Sequence, residues 1–260
     1  MPELIEVETY RTAAVEVVGR TVSGVVAPDA WFLKRGADAA SVSGAVLGAE
    51  ILSADRRGKL LMLPTSAGSV LGLRFGMTGR LVVDDRAPIE RLEYSSGRTD
   101  PAWERFRLDF DGGGSLSVVD PRRLGGVELD PDLSALGPEA STVTAEQLRT
   151  AIGHSTTALK AALLDQHRLA GLGNLLVDET LWRAGLDPAR PANDLDPEEV
   201  RRLARTIRST VRDLSRRGGS HTGDLQAART PGASCPRCST PLQRRTVGGR
   251  TTYSCPAEQR

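Results

Sequence analysis

Three cysteines, all near the end of this 260-residue chain, have the sharpest chemical spacing in it. Cys235-Pro-Arg-Cys238 and Cys255-Pro-Ala-Glu258 together read C-x2-C-x16-C-x2-E. Each half is a knuckle whose two side chains can turn toward one ion. Two such knuckles on a hairpin offer the closed tetrahedral site that zinc prefers, and thiolates select zinc over calcium or magnesium. The expected ligands are Cys235, Cys238 and Cys255, with the carboxylate of Glu258 in fourth place. The competing reading is a metal-free hairpin with free thiols. Leu242, Val247 and Tyr253 are the hairpin's main large apolar groups, too few to hold it together, which favours a metal staple. Val247-Gly-Gly-Arg250 reads as the hairpin tip presenting a guanidinium. A disulfide framework is excluded by the crowding of the thiols, and a reducing cytoplasm is expected.

The formal net charge of +1 conceals an asymmetry. Residues 201–260 carry 13 arginines against three acids, whereas the preceding 200 residues are net acidic. A basic end on an acidic body suits a polyanion partner. Lysine is rare: Lys34, Lys59 and Lys160 are the only three among 34 basic residues.

Elements must position these groups. At 39% hydrophobic residues the chain has material for real cores, and its length suits about two domains at roughly 150 residues each. No apolar run approaches the roughly 20 residues that cross a bilayer. Glu3, Glu6 and Glu8 stand where a secretion leader carries basic residues. Val7, Tyr10, Ala14 and Val18 recur at helical spacing, with Gly19 as the stop. Residues 21–130 read as mostly β, including a hairpin of Phe106, Leu108 and Phe110 against Leu116 and Val118 across a glycine-rich turn. Arg86 to Ala102 reads as a loop. Beyond Pro138 the chain turns helical. Thr144 to Gln147 is a capping box, Leu159 to Gln166 suits a short buried helix, and Asn174 can cap a helix ending at Gly185. Asp196-Pro-Glu-Glu opens an amphipathic helix with Val200, Leu203, Ile207, Val211 and Leu214 on one face, and Arg201, Arg205, Arg208 and Arg212 opposite.

Collinear motifs then carry a resemblance. MPELIEVE, RRGKLL (56–61), GMTG (76–79), DPRRLGG (120–126), LGPE (136–139), LLDQ (163–166), AGLGNLLVDETLWRAG (170–185), the knuckle hairpin and VGGR (247–250) resemble the formamidopyrimidine-DNA glycosylase and endonuclease VIII family over nearly the whole chain. The resemblance implies an α+β multidomain fold. Its expected parts are an N-terminal helix plus β-sandwich (1–135), a helix–two-turns–helix domain (136–228) and a zinc finger hairpin (229–260). It implies a bifunctional DNA glycosylase and abasic-site lyase, monomeric and bacterial-type, acting on damaged double-stranded DNA. The alternatives are a catalytically weak lesion-binding protein on the same scaffold, and a zinc-ribbon module unrelated to repair.

The implied chemistry is coherent. Removing Met1 exposes the secondary amine of Pro2, and an α-amino group titrating near ~8 is partly unprotonated at neutral pH. In the family, the residue matching Glu3 is the acid/base partner, and Glu6 lies near the amine. Lys59 and Lys160 match positions contacting phosphates around the lesion, with Lys59 counted among the catalytic residues. Met77 matches a wedge that fills the gap left by the extruded nucleotide. Arg122 matches the arginine facing the orphaned base, and Leu124 replaces the usual phenylalanine wedge. Asn174 and Arg250 match phosphate-holding positions. Departures are Ile5 for proline, Arg74 for histidine and Leu176 for tyrosine. The span from Gly219 to Cys235 is also short, and it lacks the loop that covers an everted 8-oxoguanine in formamidopyrimidine-type enzymes. An open pocket of this kind fits oxidised pyrimidines, abasic sites or bulkier lesions, and the first two are expected to outrun 8-oxoguanine as substrates.

Overall fold

The first helix, α1 (Leu4–Ala14), starts at a reciprocal capping box: the Glu3 side chain accepts from the backbone of Glu6, and Glu6 Oε2 accepts from Glu3 N at 2.9 Å. Val7, Tyr10 and Ala14 are buried at helical spacing, as the sequence predicts, but the α-helix ends at Ala14 and Val18, expected on the same face, is exposed. The computed structural model describes residues 2–90, 92, 93, 98 and 100–260. They form two compact units, one ending at Leu133 and one running from Ser134 to Arg260.

In the first unit, β1 (Val22–Val26), β5 (Arg80–Val83), β6 (Glu104–Phe110) and β7 (Ser115–Val119) make one antiparallel sheet in the order β1-β6-β7-β5. The other sheet has the order β2-β3-β4-β8, from β2 (Asp55–Arg57), β3 (Leu60–Pro64), β4 (Val70–Arg74) and β8 (Gly126–Leu129). Phe106, Leu108, Leu116 and Val118 share a core with Leu61, Leu63, Leu71 and Leu73, joined by Val7 and Tyr10 of α1. The expected hairpin is β6–β7, with Leu108 opposite Leu116. One helix in this mostly-β stretch escapes the sequence reading: α2 (Ala39–Val46), capped by Asp38 and Ser41. It buries only Val42 and Val46, too few positions to establish a period. The loop expected over 86–102 contains a 3-10 turn at Pro101–Trp103; its residues 91, 94–97 and 99 lie outside the described residues.

The second unit contains α3 (Ala145–Ile152), α4 (Leu159–Leu164), α5 (Asn174–Ala184), α6 (Pro197–Arg217) and the hairpin β9 (Gln243–Val247) with β10 (Arg250–Ser254). Thr144 and Gln147 form the expected capping box. Gly173 is the N-cap of α5, so Asn174 is its first helical residue and not its cap. Asp196 Oδ1 accepts from Glu198 N and Glu199 N, each at 2.8 Å, with Pro197 next in the first turn. The apolar stripe of α6 is buried as expected. No described helix is long and apolar enough to cross a membrane. Asp196→Ala removes the partner of two otherwise orphaned N–H groups and should cost about 1 kcal/mol in urea unfolding, without changing the folded-state circular dichroism.

Candidate nucleic-acid interface and metal centre

At the amino end, Pro2 is buried and Glu3 is fully buried. Cap and helix thus fix the backbone on either side of the Glu3 carboxylate. The Tyr10 hydroxyl donates to Gly79 O at 3.2 Å, which ties α1 to the GMTG turn. Burial, followed by the nearby Glu6 charge, raises the Tyr10 phenol, so it stays a neutral donor. Lys59 is half-buried in the tight β2–β3 turn, behind Gly58 at φ +57°.

Two loops of the same unit carry the expected wedge residues. Met77 is half-buried, Arg122 exposed and Leu124 54% exposed. The loops touch: a Cβ on Gly76 would lie 2.4 Å from the Leu124 carbonyl carbon, and one on Gly125 would lie 2.4 Å from Arg74 O. Only glycine fits at either position. Arg123 adopts φ +56° and forks onto Asp29, both contacts at 2.6 Å. Asp29 is held below the usual carboxylate range, chiefly by this hydrogen-bonded guanidinium. Arg74 pairs with the buried Glu128 at 2.7 Å, and Arg35 reaches the other oxygen at 2.6 Å.

Lys160 departs from expectation. It is fully buried, and its Nζ donates to Asp178 Oδ1 at 2.6 Å, Thr252 Oγ1 at 2.8 Å and Thr251 O at 3.1 Å. Turned inward on these partners, it joins α4, α5 and β10 and does not present its charge to a phosphate at the surface. Arg229 meets the second oxygen of Asp178 and lies over the Tyr253 ring at 5.6 Å. Burial pushes the Asp178 carboxyl up, and the two cations pull against it. Asn174, nearly buried, donates to Thr251 O at 3.3 Å, while its Oδ1 has no hydrogen-bond partner among the described residues. Arg250 is exposed beside the tip, where a Cβ on Gly248 would fall 2.8 Å from Ala161 Cβ.

The sulfurs of Cys235, Cys238 and Cys255 lie within 4.8 Å of one another, Cys238 and Cys255 at 3.4 Å. A tetrahedral ion with metal–sulfur bonds of ~2.3 Å needs sulfurs ~3.8 Å apart, so the donor set fits one ion. Glu258 is not in this cluster; its Oε2 accepts from Arg237 Nη1 at 3.1 Å. The expected fourth ligand is therefore engaged elsewhere, because a guanidinium competes for it. Burial opposes ionisation of Cys235, but the Trp182 indole N–H at 3.3 Å and the backbone N–H groups of Arg237 and Cys238 outweigh it, and the thiol falls to about 7. Burial pushes Cys255 up to about 11. Trp182 and Leu225 pack on Cys235 and Cys255, so the hairpin rests on α5.

The short segment after α6 is held down. Glu179 accepts from Asp224 N at 3.0 Å and Leu225 N at 2.9 Å, and Arg183 bridges Glu179, Asp213 and Asp224. The sequence reading missed Asp178, Glu179 and Trp182 as structural joints. The available signal was their common helix: Asn174, Asp178 and Trp182 recur every four residues, on one face.

Comparison with known proteins places the whole chain beside one family. The model of the formamidopyrimidine-DNA glycosylase N-terminal domain matches residues 1–127, and that of the formamidopyrimidine-DNA glycosylase H2TH domain matches 135–224. The formamidopyrimidine-DNA glycosylase of Thermus thermophilus is 35% identical over 287 residues, covering 100% of this chain and 98% of its own. That of Pelotomaculum thermopropionicum is 33% identical, covering 100% and 99%. A solved structure of Lactococcus lactis Fpg with abasic-site DNA aligns with TM-score 0.84 and 26% identity over 99% of both chains. Another of the same protein, with a Fapy-dG-containing DNA, aligns with TM-score 0.83 and 26% identity.

Lys160→Met leaves Asp178 buried with Arg229 as its remaining cation. Denaturant unfolding should show a loss of about 3 kcal/mol or more, against the fraction of a kcal/mol expected at an exposed lysine.

Proposed function

The chain belongs to the formamidopyrimidine-DNA glycosylase family, and on that premise we propose that it is a DNA repair enzyme that excises damaged bases from double-stranded DNA and then cleaves the abasic strand. The observation that carries this reading is the fully buried Glu3 carboxylate, set by the α1 cap directly after Pro2. Loss of Met1 frees the Pro2 amine. Its nitrogen bonds to the sugar C1′ as the bond from C1′ to the base breaks, and the base departs with the electron pair. Glu3 is the acid/base group for this exchange. The Pro2 N–H proton passes to Glu3, which returns it to O4′ as the C1′–O4′ bond opens; the iminium so formed acidifies the neighbouring C2′ proton, and loss of that proton expels the 3′ phosphate.

Met77, Arg122 and Leu124 are the groups proposed to enter the duplex, with Lys59, Asn174 and Arg250 on phosphates. Lys160 is proposed instead to brace the hairpin that presents Arg250. The short segment clamped by Glu179 and Arg183 supports a preference for oxidised pyrimidines and abasic sites over 8-oxoguanine, since a flipped purine lacks a covering loop.

Zinc is the ion proposed for the three thiols. Its role is structural, stapling the hairpin to α5, and Glu258 is proposed to complete the site once released from Arg237.

A panel of single-lesion duplexes with borohydride tests the enzymatic reading. A covalent adduct should form with abasic and oxidised-pyrimidine duplexes, weaken in Pro2→Gly and vanish when Met1 is retained. Tight lesion binding without any adduct would favour the catalytically weak binder, and adduct formation by an N-terminally blocked protein would remove Pro2 from the mechanism. Metal analysis of protein purified without chelator should find about one zinc per chain, and Glu258→Cys should slow its removal by a competing chelator. A folded hairpin without metal would reject the zinc.

A further inference from the structure

Asp120 belongs to none of the groups assigned so far, yet it is fully buried and joins the two loops that carry Met77 and Arg122–Leu124. Its Oδ1 accepts from Thr78 Oγ1 at 2.6 Å and from Arg122 N at 3.2 Å. Its Oδ2 accepts from Gly125 N at 2.8 Å. The Asp120 carbonyl takes Arg105 Nε at 2.9 Å, and its N–H donates to Trp103 O at 2.8 Å. One carboxylate thus holds the neighbour of Met77 in one loop and brackets Arg122 and Leu124 in the other. The glycine contacts between the loops leave no slack, because neither Gly76 nor Gly125 has room for a Cβ.

The proposed wedge residues themselves are not held in this way. Arg122 and Leu124 are exposed, and Met77 is only partly covered. Side chains that enter a base stack must be carried by a backbone that does not yield when the bases push back. Charge-assisted hydrogen bonds to a buried carboxylate supply that stiffness more strongly than neutral ones.

We propose that Asp120 is the positioning residue that makes the Met77 and Arg122–Leu124 loops one rigid wedge, and that insertion into duplex DNA depends on it while the chemistry at Pro2 does not. This rests on the glycosylase reading. Asp120→Asn keeps the shape but places a donor where only an acceptor fits, against the N–H of Arg122 or of Gly125. Thr78→Val removes a single bond and is the gentler variant should Asp120→Asn unfold.

The assay compares three readouts in wild type and variants: base excision from a lesion duplex, cleavage of an abasic site in single-stranded DNA, and fluorescence of 2-aminopurine placed opposite the lesion. The expected result for Asp120→Asn is a fall of about tenfold to a hundredfold in duplex excision, the range that loss of a charge-assisted hydrogen bond implies. The 2-aminopurine signal should be lost with it, and single-strand cleavage should change less than about twofold. Thr78→Val should show the same pattern more weakly. Equal losses on both substrates, or an unchanged 2-aminopurine signal, would overturn the assignment. A wild-type protein that processes neither substrate would instead reject the enzymatic reading, independently of Asp120.

Discussion

A buried ion triad organises the second unit. Asp178 lies between Lys160 and Arg229 in a place that water does not reach, and each of its oxygens meets one cation. Desolvating three charges is expensive, and the cost is offset only when every lone pair and donor has a partner. Here the remaining donors of Lys160 reach the backbone of Thr251 and the hydroxyl of Thr252. The arrangement is therefore satisfied only when α4, α5, β10 and the stretch bearing Arg229 are all in register. An apolar contact would tolerate sliding; this one does not. The exposed tip of the hairpin inherits its position from that requirement.

Much of the first unit, by contrast, is fixed by backbone approach. Gly76 and Gly125 let two loops meet closer than any side chain permits, and Arg123 accepts a positive φ because its guanidinium is clamped to Asp29. Strain in one residue is compensated by a charge-assisted pair made by the same residue. Polar joints thus set the loops, while the sandwich beneath them is held by burial.

This division explains what the sequence made legible. Periodicity located α1, the β6–β7 hairpin and α6, because each buries several residues at its own repeat. It failed for α2, which buries two. Caps were readable at Thr144 and Asp196 because side chain and backbone partner lie three residues apart. Asp120 and Asp178 were not, since the Thr78 hydroxyl that Asp120 reaches and the two cations around Asp178 lie far along the chain and only the fold brings them together. Lys160 is instructive: its rarity marked it as chosen, and its motif marked it as functional, but neither distinguishes a surface charge from a buried one. Glu258 is a similar case, as spacing gave it a metal and could not foresee that Arg237 also binds its carboxylate.

Pairing of this kind also consumes much of the basic C-terminal quarter. Of its 13 arginines, Arg217, Arg229, Arg237 and Arg245 are paired with Asp213 and Asp224, Asp178, Glu258 and Asp187, and Arg201, Arg202 and Arg205 face Glu198 or Glu199. A paired guanidinium contributes less to a polyanion than a free one, because its field is already neutralised locally. Arg212, Arg216, Arg244, Arg250 and Arg260 are exposed and have no carboxylate among the described ion pairs. Two of these lie on the hairpin: Arg244 on β9 opposite Tyr253, and Arg250 on β10 opposite Val247. The charge that can act on a phosphate backbone is thus a smaller source than the net count of the quarter implies, and only part of it lies on the hairpin. Much of the remaining arginine is structural, and the buried triad that seats the hairpin also determines where its free charge points.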